Sequence, residues 1–409
     1  MKQLLVKNIG MLATPEGRTA RRGTEQGQIR ILRDAYVLLK DGLVAEVGTG
    51  EKEAFDAKVI DAGGRLVTPG LVDAHTHLIF GGWRQNELGL KLHGATYLDI
   101  LAMGGGILST VNATRAATEE ELMDKARAAL DEMLSLGVTT VEAKSGYGLD
   151  LDNELKQLRT IRRLNEDHPV DLVSTFLGAH AVPKEYKEDR EGYIRLLTEE
   201  VIPAVAKENL AEFCDVFCET GVFSAGESRI ILEAGKKWGL IPKIHADEID
   251  PIGGSQLTAE VGAISAEHLI VCPPEGIAAM AKAGTVACLL PATSFYLGAT
   301  FAPARAMIEA GVPVAMASDF NPGSCPSLNL QFVMNLGCIK YRMTPEEVLT
   351  AVTLNGAAAI GRAEVLGSLE PGKQGDLVIW NGSDLNYICY RMGSNLASTV
   401  IKAGRMQKG

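Results

Sequence analysis

His75 and His77 close the apolar run "LVTPGLVDAHTHL" one residue apart. Alternate side chains of a β-strand share a face, so the two imidazoles look the same way. A metal ion uses such a pair; so does ordinary strand capping, and the pair alone does not choose. Four more runs end on comparable groups: His180 in "DLVSTFLGAH", His245 in "LIPKIHADE", His268 in "AISAEHLIV" and Asp319 in "PVAMASDFNPG". His75, His77, His245 and Asp319 form an N,N,N,O set that suits zinc or iron and leaves a position for water. An ion held there would bring that water's pKa toward ~7. Glu248, three residues after His245, is placed to shuttle protons, although H-x-x-E also serves as a helix cap. His268 is left to hydrogen-bond the water or the outer shell of the metal. Two metals would call for a bridging lysine at the end of strand four, which instead reads Cys218-Glu219; Lys144, on strand two, is awkwardly placed. One metal is expected. His93 and His168 are read as structural.

These groups need elements that bring them together. From Leu66 onward, short apolar runs alternate with amphipathic stretches such as "TEEELMDKARAALDEMLSLG", which opens on a Thr cap and closes at Gly137. Eight such runs predict parallel strands buried on both faces, closed into a (β/α)8 TIM barrel over residues 66–360. Strand-end residues from Lys144 to Asp319 follow one another at steps of 23 to 39. The first interval, His77 to Lys144, is longer, and a Gly-rich insert there is expected to lie over the catalytic face. Residues 1–65 and 361–409 instead read as short strands broken by Gly and Asp turns, and predict a small β-sandwich domain built from both chain termini.

Composition narrows the partners. The 409 residues are 46% hydrophobic with a net charge of −11 and a pI near 5.3, which argues against nucleic acid. No run approaches the ~20 apolar residues of a membrane span, and the first residues lack a signal-peptide pattern. The seven cysteines, Cys214 and Cys218 included, read as reduced core thiols of a cytoplasmic protein.

The stretches "VTPGLVDAHTHL", His245-x-x-Glu248, His268, "ASDFNPGS" and "GSLEPGKQGDLVIW" resemble the amidohydrolase superfamily over essentially the whole chain, in its mononuclear branch. More narrowly, "HTHLIFGGWRQNEL", "GATYLDI", "GGGILSTVNATR", "EAKSGYGLD", "FLGAHAVP" and "SDFNPGSCPS" are similar to the imidazolonepropionase family. That resemblance implies hydrolysis of 4-imidazolone-5-propionate to N-formimidoyl-L-glutamate, one zinc or iron per subunit, and a homodimer. It also implies Arg84 on the propionate, Tyr97, Tyr147 and His180 on the substrate, and Asn321, Gly323 and Ser324 lining the site beside Asp319. Asp319 or His268 would take the water's proton, His180 would steady the oxyanion, and Glu248 would protonate the departing nitrogen.

Three rivals make different demands. A deaminase of a cytosine- or guanine-like ring would share the metal set but give Arg84 no task. An inert barrel would be expected to lose ligands, and a binuclear hydrolase would need Lys144 as its bridge.

Overall fold

The computed structural model describes residues 3–53, 56–94 and 105–408. Five strands come first: β1 (Gln3–Thr14), β2 (Arg30–Lys40), β3 (Leu43–Thr49), β4 (Ala57–Asp61) and β5 (Leu66–Pro69). Eight follow: β6 (Leu71–Thr76), β7 (Val138–Lys144), β8 (Asp171–Ala179), β9 (Phe213–Cys218), β10 (Ile241–Ala246), β11 (Ser265–His268), β12 (Val286–Leu289) and β13 (Val314–Met316). The last are β14 (Leu377–Trp380), β15 (Ala397–Lys402) and β16 (Arg405–Lys408).

β6 to β13 pair in parallel and in chain order, with helices between them, as the alternating apolar runs predict. Every residue of β6, β7, β11, β12 and β13 is buried, the signature of strands covered on both faces. The ring closes where β6 meets the end of β13. Asp319 N–H donates to His75 O (3.1 Å), His77 N–H donates to Phe320 O (2.9 Å), and Thr76 bridges Phe320. The helix Glu119–Ser135 opens with a capping box between Thr118 and Glu121, which satisfies otherwise orphaned N–H groups, and Gly137 follows its end at φ 100°.

The remaining strands form one mixed sheet from both chain ends, in the order β16-β15-β14-β5-β1-β2-β3, with β4 on β1. Asp41-Gly42, both at positive φ, turn β2 into β3 as a primed hairpin turn requires. The core of this sheet is apolar: Val6, Ile9, Leu12, Val37, Val67, Leu377, Ile379 and Ile401 are fully buried. The run that carries His75 is thus two strands. β5 pairs with β1 and β14, whereas β6 begins the barrel. Gly70 makes the break: a Cβ there would come within 2.3 Å of Thr139 Oγ1, so only glycine lets the chain cross from one sheet to the other.

A short helix, Leu385–Tyr390, interrupts the strands after Gly361. Among the described residues no helix is long and apolar enough to cross a membrane.

Candidate active site

The barrel carries its polar groups at the C-terminal ends of the strands, where such folds concentrate chemistry. His75, on β6, and His77, just past it, meet His245 from β10, and their ligand atoms lie within 4.8 Å of one another. His77 Nε2 is 3.4 Å from His245 Nε2, and Asp319 Oδ1 is 3.5 Å from both His75 Nε2 and His77 Nε2. Ligand bonds of 2.0–2.1 Å in a tetrahedron put neighbouring donors about 3.4 Å apart, so these spacings suit one small cation. His75 Nε2 is buried with no hydrogen-bond partner, which is costly unless something else satisfies it. Burial, and the neighbouring Lys144 and His245 charges, push His75 well below the ordinary histidine range; burial and His180 do the same to His77. Both are neutral, the form that ligates.

The backbone turns sharply where these strands end. His268, Leu269 and Asp319 have φ of 67°, 59° and 56°, a region uncommon for residues with a side chain and worst for a bulky one such as leucine. Asp319 Oδ2 accepts from Thr293 Oγ1–H at 2.5 Å. His268 Nε2 stands 3.6 Å from Glu248 Oε2. Burial raises the Glu248 carboxyl to about 7, with His245 pulling the other way. The loop bearing Glu248 hangs from buried Glu219, whose carboxylate accepts from the N–H groups of Ile249 (2.9 Å) and Asp250 (3.1 Å).

The mouth is aromatic and cationic. His180 stacks on His77 with centroids 4.8 Å apart. Tyr147 is 5.2 Å from the His180 ring, and burial raises its phenol. His180 Nδ1 lies 3.0 Å from Gly146 O. A carbonyl can only accept, so Nδ1 carries the proton and Nε2 offers a lone pair. Burial also pushes His180 down to about 3, against protonation. A neutral His180 with its Nδ1–H donating to Gly146 O keeps Nε2 as an acceptor.

Arg84 presents its Nε and Nη2 edge to Glu87 at 3.0–3.1 Å. Its Nη1 runs so close to Gly323 that a Cβ there would sit 2.0 Å away. The loop donors are turned inward: Asn321 Oδ1 accepts from the N–H groups of Gly323 (2.8 Å) and Ser324 (2.7 Å), while Asn321 Nδ2–H donates to Asp319 O (2.7 Å) and Ser324 Oγ (2.9 Å). Tyr97 lies outside the described residues. His168 caps a helix end, its Nε2 3.2 Å from Asp131, and His93 Nδ1 faces Gly89 O at 2.7 Å.

Sequence reading passed over the floor beneath the imidazoles. His75 Nδ1 contacts Glu267 Oε2 at 3.0 Å, and His245 Nδ1 contacts Asp215 Oδ1 at 3.1 Å. Lys144 is not near a bridging position. It is fully buried and donates to Asp215 (2.8 Å) and Glu142 (2.6 Å). Lys243 lies 3.3 Å from Glu267. Phe217, two residues past Asp215, faces the same way, its ring 5.8 Å from His245 and 6.2 Å from His180. The missed signal was spacing: Glu142-x-Lys144, Lys243-x-His245 and Asp215-x-Phe217 each put two inward side chains on one buried strand.

Comparison with known proteins bears on the family and the fold. Residues 66–406 match the model of the Amidohydrolase family. The chain is 53% identical over 413 residues to the imidazolonepropionase of Alkaliphilus metalliredigens, covering 99% of this chain and 98% of that one. It is 50% identical over 415 residues to the imidazolonepropionase of Geobacillus kaustophilus, at the same coverage. Among solved structures, atrazine chlorohydrolase from Arthrobacter aurescens complexed with zinc superposes with a TM-score of 0.76 at 18% identity, covering 99% of this chain and 95% of that one. An adenosine deaminase from Xanthomonas campestris with bound zinc gives 0.73 at 18% identity, covering 100% and 93%. At such identity these two neighbours speak for the fold alone.

Proposed function

This chain belongs to the amidohydrolase family and, within it, to the imidazolonepropionases, and from that premise we infer that it is a cyclic-amide hydrolase of histidine degradation. It takes 4-imidazolone-5-propionate and water to N-formimidoyl-L-glutamate. The observation that carries the reading is the buried group of His75, His77 and His245, facing Asp319 within a loop's length of an arginine. A ring to be opened at a metal, tethered to a carboxylate, needs that pair of features. A neutral nucleobase needs only the first.

His75, His77, His245 and Asp319 would hold one zinc or iron ion per subunit. When bound, the ion polarises the amide carbonyl and lowers the pKa of a water toward ~7. The chain's own groups do the rest. Arg84, oriented by Glu87, turns its outer edge to the propionate, and Tyr147 packs the substrate against His180, whose Nε2 accepts from a ring N–H. Tyr97 joins these contacts on the resemblance alone. Asn321 holds Gly323 and Ser324 in place as the wall beside Asp319. Asp319 or His268 takes the proton of the attacking water. Glu248, neutral below its raised pKa, returns a proton to the departing ring nitrogen. The enzyme is taken as a cytoplasmic homodimer; its seven cysteines form no disulfide, and size-exclusion chromatography with light scattering checks the assembly.

The test is an assay of metal-loaded protein with freshly made 4-imidazolone-5-propionate, following loss of the ring chromophore and identifying the product by NMR, with cytosine and guanine alongside. Conversion to formimidoylglutamate that a chelator abolishes is the expected result. Ammonia released from a nucleobase, with the imidazolone untouched, would overturn the substrate assignment and leave the metal site standing.

A further inference from the structure

The interior of such a barrel is ordinarily filled by layers of branched apolar side chains. Directly below the imidazoles this barrel instead buries Glu142 and Lys144 from β7, Asp215 from β9, Lys243 from β10 and Glu267 from β11, all with fully buried side chains. Burying five charges is expensive, and such pairs are seldom retained for stability alone. Their connectivity shows what they are aimed at. Lys144 reaches Asp215, which meets His245 Nδ1. Lys243 reaches Glu267, which meets His75 Nδ1. Glu142 ties the two arms together, 2.6 Å from Lys144 and 4.0 Å from Lys243, and takes a further hydrogen bond from Thr175.

We propose that Asp215 and Glu267, each anchored by a buried lysine, are positioning residues that hold His245 and His75 with Nδ1 protonated and Nε2 aimed at the metal, and so set how long the metal stays. The inference rests on the metal-site reading above. A carboxylate oxygen can only accept, so each contact fixes the tautomer. The lysines keep the carboxylates from turning: Lys144 holds Asp215 Oδ2 and Val216 N–H holds Oδ1, both oxygens standing 3.1 Å from His245 Nδ1, and Lys243 with Ser265 holds Glu267 Oε1 while Oε2 faces His75. His77 is the internal contrast. Its Nδ1 is buried without a hydrogen-bond partner, and its orientation comes from stacking on His180.

The variants Asp215→Asn and Glu267→Gln test this with little loss of volume. An amide must turn its NH2 either toward the lysine, where donor meets donor, or toward the imidazole, where it forces the proton onto Nε2 and blocks ligation. Lys144 keeps Glu142 in the first variant, and Lys243 keeps Ala359 O at 3.2 Å in the second, so neither ammonium is stranded. Asp376→Asn, which breaks the buried pair with Lys402, is the control for a merely structural charge. The readout is release of zinc from the loaded protein to a chromogenic chelator. We expect release about 10–100-fold faster for Asp215→Asn and Glu267→Gln, and unchanged for Asp376→Asn. Release within twofold of the parent for both site variants overturns the proposal. A parent protein that binds no zinc or iron would overturn the metal reading itself.

A second measurement needs no variant. In zinc-loaded protein carrying 15N-histidine, the Nδ1 protons of His75 and His245 should exchange with water far more slowly than that of His77. Equal exchange at the three positions would sink the positioning role even if a site variant fails to fold.

Discussion

Two interiors of this molecule are equally dry and built on opposite principles. The terminal sheet buries Val6, Ile9, Leu12, Val37 and Ile379 against one another in an apolar cluster. The barrel floor buries Glu142, Lys144, Asp215, Lys243 and Glu267 at the same zero exposure. Apolar burial returns about 25 cal/mol per Å2 wherever the atoms sit, so the sheet tolerates any packing that fills space. The floor gains only when each charge meets its partner at the right distance, so it tolerates one arrangement. Stability resides in the first interior and aim in the second. A substitution in one should therefore leave the property of the other alone.

The sharpest break comes from His75→Ala. Metal content should vanish and turnover should fall by more than about a thousandfold, the scale of losing several kcal/mol of electrophilic stabilisation. Chemical denaturation of the metal-free protein should move little. Elemental analysis, steady-state kinetics and urea titration together check this, and retained metal with retained turnover would be the contrary result. Leu12→Ala is the mirror experiment: about 2–5 kcal/mol of stability lost through a cavity, with kcat/KM per folded molecule unchanged. A matching drop in kcat/KM would show that the two interiors are coupled.

Arg84→Met sharpens the boundary between aim and affinity. KM for the imidazolone should rise about 10–100-fold, as for a lost hydrogen-bonded charge, while kcat changes far less; a kcat-only effect would move Arg84 off the propionate. The smallest signature is a slope. Glu248 is lifted by burial from the ordinary carboxyl value to about 7, so it is neutral below that pH and ionised above. A proton donor is needed in its neutral form, so kcat should fall about tenfold per unit as pH rises past 7, and Glu248→Gln should abolish that limb. A limb that rises with pH would make Glu248 a base.

How much of this was legible beforehand follows the same division. Eight apolar runs announced eight strands because parallel strands covered on both faces leave few polar positions. The histidines at their ends stood out because so few of that residue exist. Asp215 and Glu267 did not stand out: a lone acid within a strand looks like the exposed face of an alternating pattern until a lysine from another strand is seen against it. Lys144 was weighed as a metal bridge and proved to be an anchor for that reason. The break at Gly70 was hidden as well, since "LVTPGLVDAH" reads as one apolar run and only the approach of Thr139 reveals two strands in two sheets. Arg84 was visible as a cation, but its bidentate partner Glu87 lies in a helix whose contact depends on how the chain turns after the first barrel strand.

The seam where β6 meets the end of β13 carries one more implication. The residues that close the ring, His75, His77 and Asp319, are those that would share the ion. They lie about 240 positions apart along the chain. At about 5–20 residues per second, Asp319 leaves the ribosome roughly 10–50 s after His75. Until then the nascent barrel cannot close its seam and has only part of its cage. Loading with metal would then be an act of completion, and an ion held by these residues would clasp the oldest strand of the barrel to the youngest.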